Sequence, residues 1–304
     1  MTKARVLGKK VGRQMREGIL IKGVGGFYFV LSEGKIYRCR LRGRLRVKAG
    51  EILVGDRVQF KETGLEEGAI EAVLPRVTKL ERPAVANIDQ VIVVFSLREP
   101  PPDLELLDRL LVLSMASNAE PIICWNKADI ASEEFLPLPS LYESLGYRVL
   151  VTSARTGQGV DLLREVLQGH VSTFAGPSGV GKSSLLNAVE PGLNLKTGEV
   201  SRKQGRGRHT TRQVELLLLK NGGIVADTPG FSKLNLPEMK REDLAAYFPE
   251  ILAYEGECRF HSCLHRSEPD CAVRKAVEEG GITRHRYAHY LKFLEEVIET
   301  ERSY

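Results

Sequence analysis

Over residues 1 to about 82, apolar and polar positions alternate in short runs. The runs are Gly18–Lys22, Gly26–Ser32, Lys35–Arg42, Arg57–Glu62 and Gly68–Val73, and glycines at 25, 26, 34, 50 and 64 separate them. A period of two marks half-buried strands, and glycine marks the turns between them. About five short strands without a helical period predict a small β-barrel of the OB type, with an SH3-like barrel as the alternative. Leu80–Asp89, around Pro83, reads as a linker. From Gln90 the pattern changes. The continuous apolar runs VIVVF, PIICW, RVLVT and VSTFA alternate with helical stretches at Leu104–Ser117, Leu138–Leu145 and Val160–Gln168. That alternation predicts a parallel sheet covered by helices. From about Pro237 the chain reads as helical around a cluster of cysteine and histidine. The expected organisation is multidomain α/β, with a barrel at 1–82, an α/β domain at 83–236 and a helical domain at 237–304.

Composition narrows the classes. A chain of 304 residues suggests two or three domains, and 42% hydrophobic residues supply a real core. No apolar run reaches the roughly 18 residues of a membrane span, so no membrane association is expected. The first residues, MTKARVLGKKVGRQMREG, lack an apolar stretch and are not expected to be a signal peptide. Three of the five cysteines cluster near the C-terminus, which fits a reducing cytosol better than a disulfide framework. Residues 1–82 hold 19 Lys+Arg against 9 Asp+Glu, whereas the remainder holds 25 against 30. The basic excess is therefore in the barrel. Arg38, Arg40, Arg42, Arg44, Arg46 and Lys48 recur at every second position. In an extended strand they share one face, a stripe suited to a phosphate backbone and hence to RNA.

The chemistry lies in the middle of the chain. GPSGVGKSS at Gly176–Ser184 joins the strand VSTFA to a helix at Ser183–Val189, the context of a phosphate-binding loop. Gly176, Ser178, Gly179, Val180, Gly181, Lys182, Ser183 and Ser184 are its nucleotide-binding candidates. Its backbone N–H groups wrap phosphate oxygens, Lys182 reaches the β and γ phosphates, and Ser183 holds Mg²⁺. NKAD at Asn126–Asp129 follows PIICW. Asp129 can accept two hydrogen bonds from a guanine edge, a donor pair that adenine lacks. Asn126 is expected at another edge of the base and the Lys127 stem over its face. Ser153 and Ala154 end RVLVT and complete a guanine pocket. DTPG begins at Asp227, a second Mg²⁺ candidate, and ends at Gly230, whose N–H is placed to sense the γ-phosphate. In the usual linear order of a GTP site, NKxD and the serine–alanine loop come last. Here they come first with the cyclic order intact, which predicts a circularly permuted GTPase domain.

Between these motifs lies KTGEVSRKQGRGRHTTR, Lys196–Arg212, a candidate switch. Thr211, with Thr210 as the alternative, is expected to reach Mg²⁺ in the GTP state. Phe231 stands after DTPG, where many GTPases place a water-orienting glutamine. Hydrolysis is then expected to be slow without a supplied group, and His209 is the candidate for positioning the water or accepting its proton. The segment CRFHSCLHRSEPDC sets Cys258, Cys263, His265 and Cys271 in a C-x4-C-x-H-x5-C pattern, a tetrahedral Cys₃His zinc set. Four protein ligands leave no open position, so this zinc is expected to be structural. His261 is a substitute ligand.

The order of basic barrel, NKAD, SA, GPSGVGKSS, GRGRHTT, DTPGF and C-x4-C-x-H-x5-C resembles the ribosome small-subunit-dependent GTPase A family (RsgA, also called YjeQ) over essentially the whole chain. The resemblance implies an OB-fold, a permuted GTPase domain and a zinc-binding C-terminal domain. It also implies GTP hydrolysis stimulated by the small ribosomal subunit, a role in that subunit's late maturation, and contact with its rRNA. The switch reads HTTR where the family often has HTTT, which leaves the metal-binding threonine open. A cytoplasmic monomer using GTP, Mg²⁺ and one structural Zn²⁺ is expected. Two alternatives are a nucleotide-gated RNA-binding module with negligible hydrolysis, and a GTPase serving metal delivery or a membrane transporter.

Overall fold

The structure is a computed structural model that describes residues 15–43, 52–81, 84–195, 215–227 and 235–302. Arg44, Arg46, Lys48, His209, Thr210, Thr211 and Gly230 lie outside the described residues, as does the side chain of Asp227. The described residues form two compact units. One holds those up to Asn87 together with 215–217, and the other holds those from Ile88 onward together with 218–302. Among the described residues, no helix is long and apolar enough to cross a membrane.

The first unit is a closed five-stranded barrel. Its strands are β1 (Met15–Val24), β2 (Phe27–Ser32), β3 (Lys35–Leu41), β4 (Arg57–Gly64) and β5 (Glu67–Val73), in the order β1-β2-β3-β5-β4. Four pairings are antiparallel, and β3 runs parallel to β5. This is the OB-type arrangement, and the SH3-like alternative is set aside. Leu20, Val30, Tyr37, Cys39, Val58, Phe60 and Ile70 fill the interior. The alternation read from the sequence is visible on β3, where Tyr37 and Cys39 point inward and Arg38 and Arg40 outward. The basic stripe is less bare than its sequence suggests. Arg38 pairs with Glu67 and Arg42 with Glu71, both carboxylates on β5, while Arg40 lies 4.5 Å from the centre of the Phe27 ring. Cross-strand partners on β5 cannot be read from β3 alone.

Residues 80–89 are not a free linker. Strands β6 (Lys79–Glu81) and β7 (Ala84–Ala86) pair antiparallel and are tied to the barrel chain. The Ala86 N–H donates to Val54 O at 2.9 Å and Asn87 Nδ2 to Gly55 O at 3.0 Å. Arg76 donates to both oxygens of the buried Asp56 carboxylate, at 2.7 and 2.9 Å. The physical reason is apolar: Leu80, Val85 and Ala86 are all buried, so the segment packs instead of spanning solvent. Gly55 permits the approach, because a Cβ there would lie 1.9 Å from Ala86 O at a φ of +91°.

The second unit is built on a sheet whose strands run in the order β10-β9-β8-β11-β13. These are β8 (Gln90–Ser96), β9 (Glu120–Asn126), β10 (Arg148–Val151), β11 (Val171–Ala175) and β13 (Ile224–Asp227); the short strand β12 (Glu215–Leu218) precedes β13 in the chain, and its first three residues belong to the first unit. All seven residues of β8 are buried, as expected for a central strand covered on both faces. The chain steps outward from β8 to β9 and β10, then returns to the other side of β8 with β11. The crevice outside this reversal is where open α/β sheets receive ligands.

Helix α1 (Leu104–Ala116) starts at Asp103, whose carboxylate accepts the Leu106 N–H at 3.0 Å. Its sequence is apolar almost all round, and both sides are used. One side packs on β8 and β9. On the other, Val112 joins a core with Leu244, Phe248, Ile251, Tyr290, Phe293 and Leu294. That core is built by helices α5 (Pro249–Leu252), α6 (Ala272–Glu279) and α7 (Arg284–Arg302) with the turn Arg241–Tyr247. α2 (Leu138–Ser144), α3 (Val160–Leu167) and α4 (Lys182–Val189) complete the helices. A buried ion cluster crosses the α1–α7 seam. Asp108 of α1 accepts from the Tyr142 hydroxyl at 2.8 Å and lies 2.5 Å from Arg286 Nη1 and 2.6 Å from His289 Nδ1. Arg286, 1% exposed, also donates to Glu250 at 2.6 Å and lies against the rings of Phe248, Tyr142 and Tyr147. Burial alone would lower the Arg286 pKa, but Asp108, Tyr147 and Glu250 more than offset it and hold the guanidinium charged. Arg286→Ala leaves two carboxylates buried without their partner. It is expected to destabilise this unit by about 3–5 kcal/mol, read as a lower urea midpoint in the fluorescence of Trp125, which sits 6.0 Å from Tyr142.

Candidate nucleotide site and metal knuckle

The phosphate-binding motif sits where the sequence places it, between β11 and α4. Gly176, Gly179 and Gly181 adopt φ of +132°, +86° and +99°, which turn the loop back on itself. Lys182 Nζ donates to Gly176 O at 2.8 Å and Pro177 O at 2.7 Å, so the lysine spans its own loop. Burial lowers its pKa. An anion in the loop would favour its charged form and oppose that shift. Val180 is buried, Ser178 is exposed, and Ser183 and Ser184 lie in the first turn of α4, half-buried.

NKAD leaves the carboxyl end of β9, two strands from β11. Asn126 Nδ2 donates to Val180 O of the phosphate loop at 2.8 Å. Its Oδ1 accepts the Ala154 N–H at 3.2 Å and the Thr152 hydroxyl at 3.3 Å. Three loops that lie far apart in sequence are joined by one amide. The sequence reading gave Asn126 only to the base, and the structure gives its amide this second task. Gly181 is required by it, since a Cβ there would lie 2.3 Å from Asn126 Nδ2. Lys127 takes a left-handed φ of 63° and its ammonium donates to Glu99 O. The Ser153 hydroxyl donates to Asp129 Oδ1 at 2.7 Å, and Arg155 Nε lies 3.8 Å from Oδ2. These contacts fix the carboxylate's orientation while its side chain remains 14% exposed. Asp227 ends β13, which pairs with β11 from Val171↔Ile224 to Thr173↔Ala226. The backbone of Asp227 is therefore at the carboxyl edge next to the phosphate-loop strand.

The cysteine–histidine set converges as well. The ligand atoms of Cys258, Cys263, His265 and Cys271 all lie within 4.8 Å of one another. His265 Nδ1 is 3.5 Å from the sulfurs of Cys258 and Cys271, and those sulfurs are 3.9 Å apart. Zn–S bonds of about 2.3 Å and Zn–N bonds of about 2.0–2.1 Å imply tetrahedral edges of roughly 3.8 Å between sulfurs and 3.5 Å from sulfur to nitrogen. The set fits zinc. Burial pushes the Cys263 thiol up to about 12 and raises Cys271, while it lowers His265. The lowered imidazole pKa favours the neutral form that coordinates metal, and a metal entering must displace thiol protons. His261 is exposed and outside the set.

The family model described as RsgA GTPase matches residues 73–237, and the one described as RsgA N-terminal domain matches residues 17–70. The chain belongs to the RsgA GTPase family. The "Small ribosomal subunit biogenesis GTPase RsgA" of Moorella thermoacetica is 63% identical over 288 residues, covering 95% of this chain and 99% of its own. The crystal structure of YjeQ from Thermotoga maritima superposes with a TM-score of 0.80 at 39% identity, over 94% of this chain and 99% of that one. YloQ, described as a circularly permuted GTPase, gives 0.82 at 37%, over 97% and 99%.

As a member of the RsgA GTPase family the chain is a GTP hydrolase, and its strand order is that of a permuted GTPase domain. Sequence reasoning missed Glu99, whose carbonyl anchors Lys127, and Pro100, whose ring faces Gly179. The signal was available: EPPP follows the central strand at the carboxyl edge of the sheet. Gly181→Ala combines a clash with Asn126 and a left-handed strain of about 1–2 kcal/mol. It is expected to weaken binding of a fluorescent GDP analogue roughly tenfold or more. Metal analysis is expected to find one zinc per chain. Stripping it with a chelator should abolish amide-exchange protection across 258–271 and leave β8 protected.

Proposed function

We propose that this chain hydrolyses GTP in a cycle stimulated by the small ribosomal subunit and acts in the late maturation of that subunit. The observation that carries the nucleotide half is the Asn126 amide, which joins the phosphate loop, NKAD and the Ser153–Ala154 loop. In this reading Lys182 and the N–H groups of Gly176–Ser184 take the β and γ phosphates. Asp129, oriented by Ser153, takes the guanine edge, with the Ala154 N–H beside it and the Lys127 stem over the ring. Ser183, Asp227 and Thr211, or Thr210 in its place, hold Mg²⁺, and Gly230 senses the γ-phosphate. Phe231 offers no hydrogen bond to the attacking water, so His209 supplies that contact once the partner is bound. Cys258, Cys263, His265 and Cys271 hold a structural Zn²⁺.

The ribosomal half rests on two supports. Many curated relatives of this length carry the name "Small ribosomal subunit biogenesis GTPase". The barrel presents Arg38, Arg40 and Arg42 on one outer face, with Arg44, Arg46 and Lys48 following in sequence. The paired arginines exchange Glu67 and Glu71 for phosphates when rRNA binds, and Arg40 with Phe27 offers a stacking surface for a base. The chain works as a cytoplasmic monomer of three parts, 1–82, 83–236 and 237–304.

Purified small subunits are expected to raise multiple-turnover phosphate release from GTP by about 10³-fold or more, the scale of a supplied catalytic group. His209→Ala should lower the stimulated rate by roughly 10²–10⁴-fold with GDP affinity unchanged. A rate indifferent to small subunits would overturn the ribosomal half, and a stimulated rate unchanged in the variant would remove His209.

A further inference from the structure

One charged group in the metal knuckle has no part in the roles above. Glu268 lies between His265 and Cys271, is half-buried, and forms no ion pair among the described residues. Its carboxylate is spent on the backbone. Oε1 accepts the Leu264 N–H at 2.8 Å, and Oε2 accepts the N–H groups of Arg266 at 2.8 Å and Ser267 at 3.0 Å. Three amides turned onto one anion make a nest, a backbone form that needs the negative charge at its centre. The carbonyls of the same stretch point the other way, onto α7. The Tyr290 hydroxyl donates to Leu264 O at 2.9 Å and the Tyr287 hydroxyl to His265 O at 2.6 Å.

This bonding surrounds a residue with a left-handed backbone. His265 sits at a φ of 58°, in a region that few non-glycine residues adopt. The same conformation sends its Nδ1 to within 3.5 Å of two of the sulfurs. Hydrogen bonds to a carboxylate are about twice as strong as neutral ones, so three of them outweigh the strain. Burial alone would raise the Glu268 pKa, but its backbone donors overcome that and hold it below the usual carboxylate range.

We propose that Glu268 is the template of the metal knuckle: its carboxylate bends the Leu264–Ser267 backbone so that His265 Nδ1 already faces the three sulfurs when the ion arrives. This rests on the reading of the cluster as a zinc site. Glu268 is a positioning residue, since its oxygens are occupied by amides and it is not one of the four ligands. Its effect is on how tightly and how long the metal is held. The metal itself supplies the cross-link between Cys258, Cys263, His265 and Cys271.

The test uses the full chain, with Zn²⁺ competed against a chromogenic chelator and Co²⁺ substitution as the spectroscopic readout. The wild type should take up one Zn²⁺. Glu268→Ala should bind it about 10–100-fold more weakly, the usual cost of losing an outer-shell partner, release it faster, and show a weakened tetrahedral Co²⁺ band. Glu268→Gln keeps one acceptor oxygen but turns an NH₂ toward a backbone donor, so it should fall between the two. Glu295→Gln, which removes only the surface pair with Arg266, should bind like the wild type. Amide-exchange protection of α7, which carries Tyr287 and Tyr290, reports whether each variant is folded. If Glu268→Ala is not recovered folded, Glu268→Gln carries the test. Wild-type zinc affinity and release rate in the folded variants would overturn the template. A wild-type chain that takes up no zinc would instead overturn the metal reading on which it rests.

Discussion

The candidate nucleotide site depends on one buried side-chain amide. Asn126, 1% exposed, donates to Val180 O and accepts from the Ala154 N–H. A typical hydrogen bond contributes only about 1 kcal/mol net, but leaving a buried partner unpaired costs about 1–3 kcal/mol. The amide therefore holds the loops after β9, β10 and β11 in one arrangement. It also dictates that residue 181 be glycine, because any side chain there meets Nδ2. The contact is spatial, so it survives a change in where the chain begins. That is why NKAD can precede the phosphate loop in sequence and still stand beside it. The residues beside this joint are fixed in turn, through the Ser153 hydroxyl on Asp129 and the Lys127 ammonium on Glu99 O.

The C-terminal helices are bound to the GTPase sheet by more than a covalent connection. They complete a core with α1, and Asp108, Arg286, Glu250 and His289 close the seam. Buried ion clusters contribute little net stability compared with a well-packed apolar core, but they tolerate few alternative alignments. The helices then position the knuckle through Tyr287 and Tyr290, and Arg266 adds a surface pair with Glu295. Packed contacts run from β8 and β9, through α1 and α7, to the cluster of Cys258, Cys263, His265 and Cys271. The barrel follows a different logic. Its strand order is closed by backbone hydrogen bonds, its interior is apolar, and the outer Arg38 and Arg42 are balanced by carboxylates on β5.

Much of this was legible from residue order. Continuous apolar runs named the buried strands, because a strand covered on both faces has no polar side to show. Alternation on β3 put Arg38 and Arg40 on one face, and the structure buries the intervening Tyr37 and Cys39. The phosphate loop, NKAD and C-x4-C-x-H-x5-C were recognisable because each is local: the spacing of a few residues sets the backbone form the chemistry needs. The paired strands Lys79–Glu81 and Ala84–Ala86 read as part of a linker because the sequence cues there, a proline and a change of pattern, also mark linkers. What distinguishes them is the burial of Leu80 and Val85 against partners elsewhere in the chain.

The sequence by itself determined the elements, the motifs and their cyclic order, since period, turn chemistry and ligand spacing are properties of neighbouring residues. Only the tertiary structure decided which distant groups meet. The parallel pairing of β3 with β5, the pairing of Arg286 with Asp108, the use of Asn126 as a joint and the donation of three amides to Glu268 belong to that class. Each depends on which surfaces are brought together when apolar faces are buried, and the energy of that choice is spread over the whole core, not written at any one position.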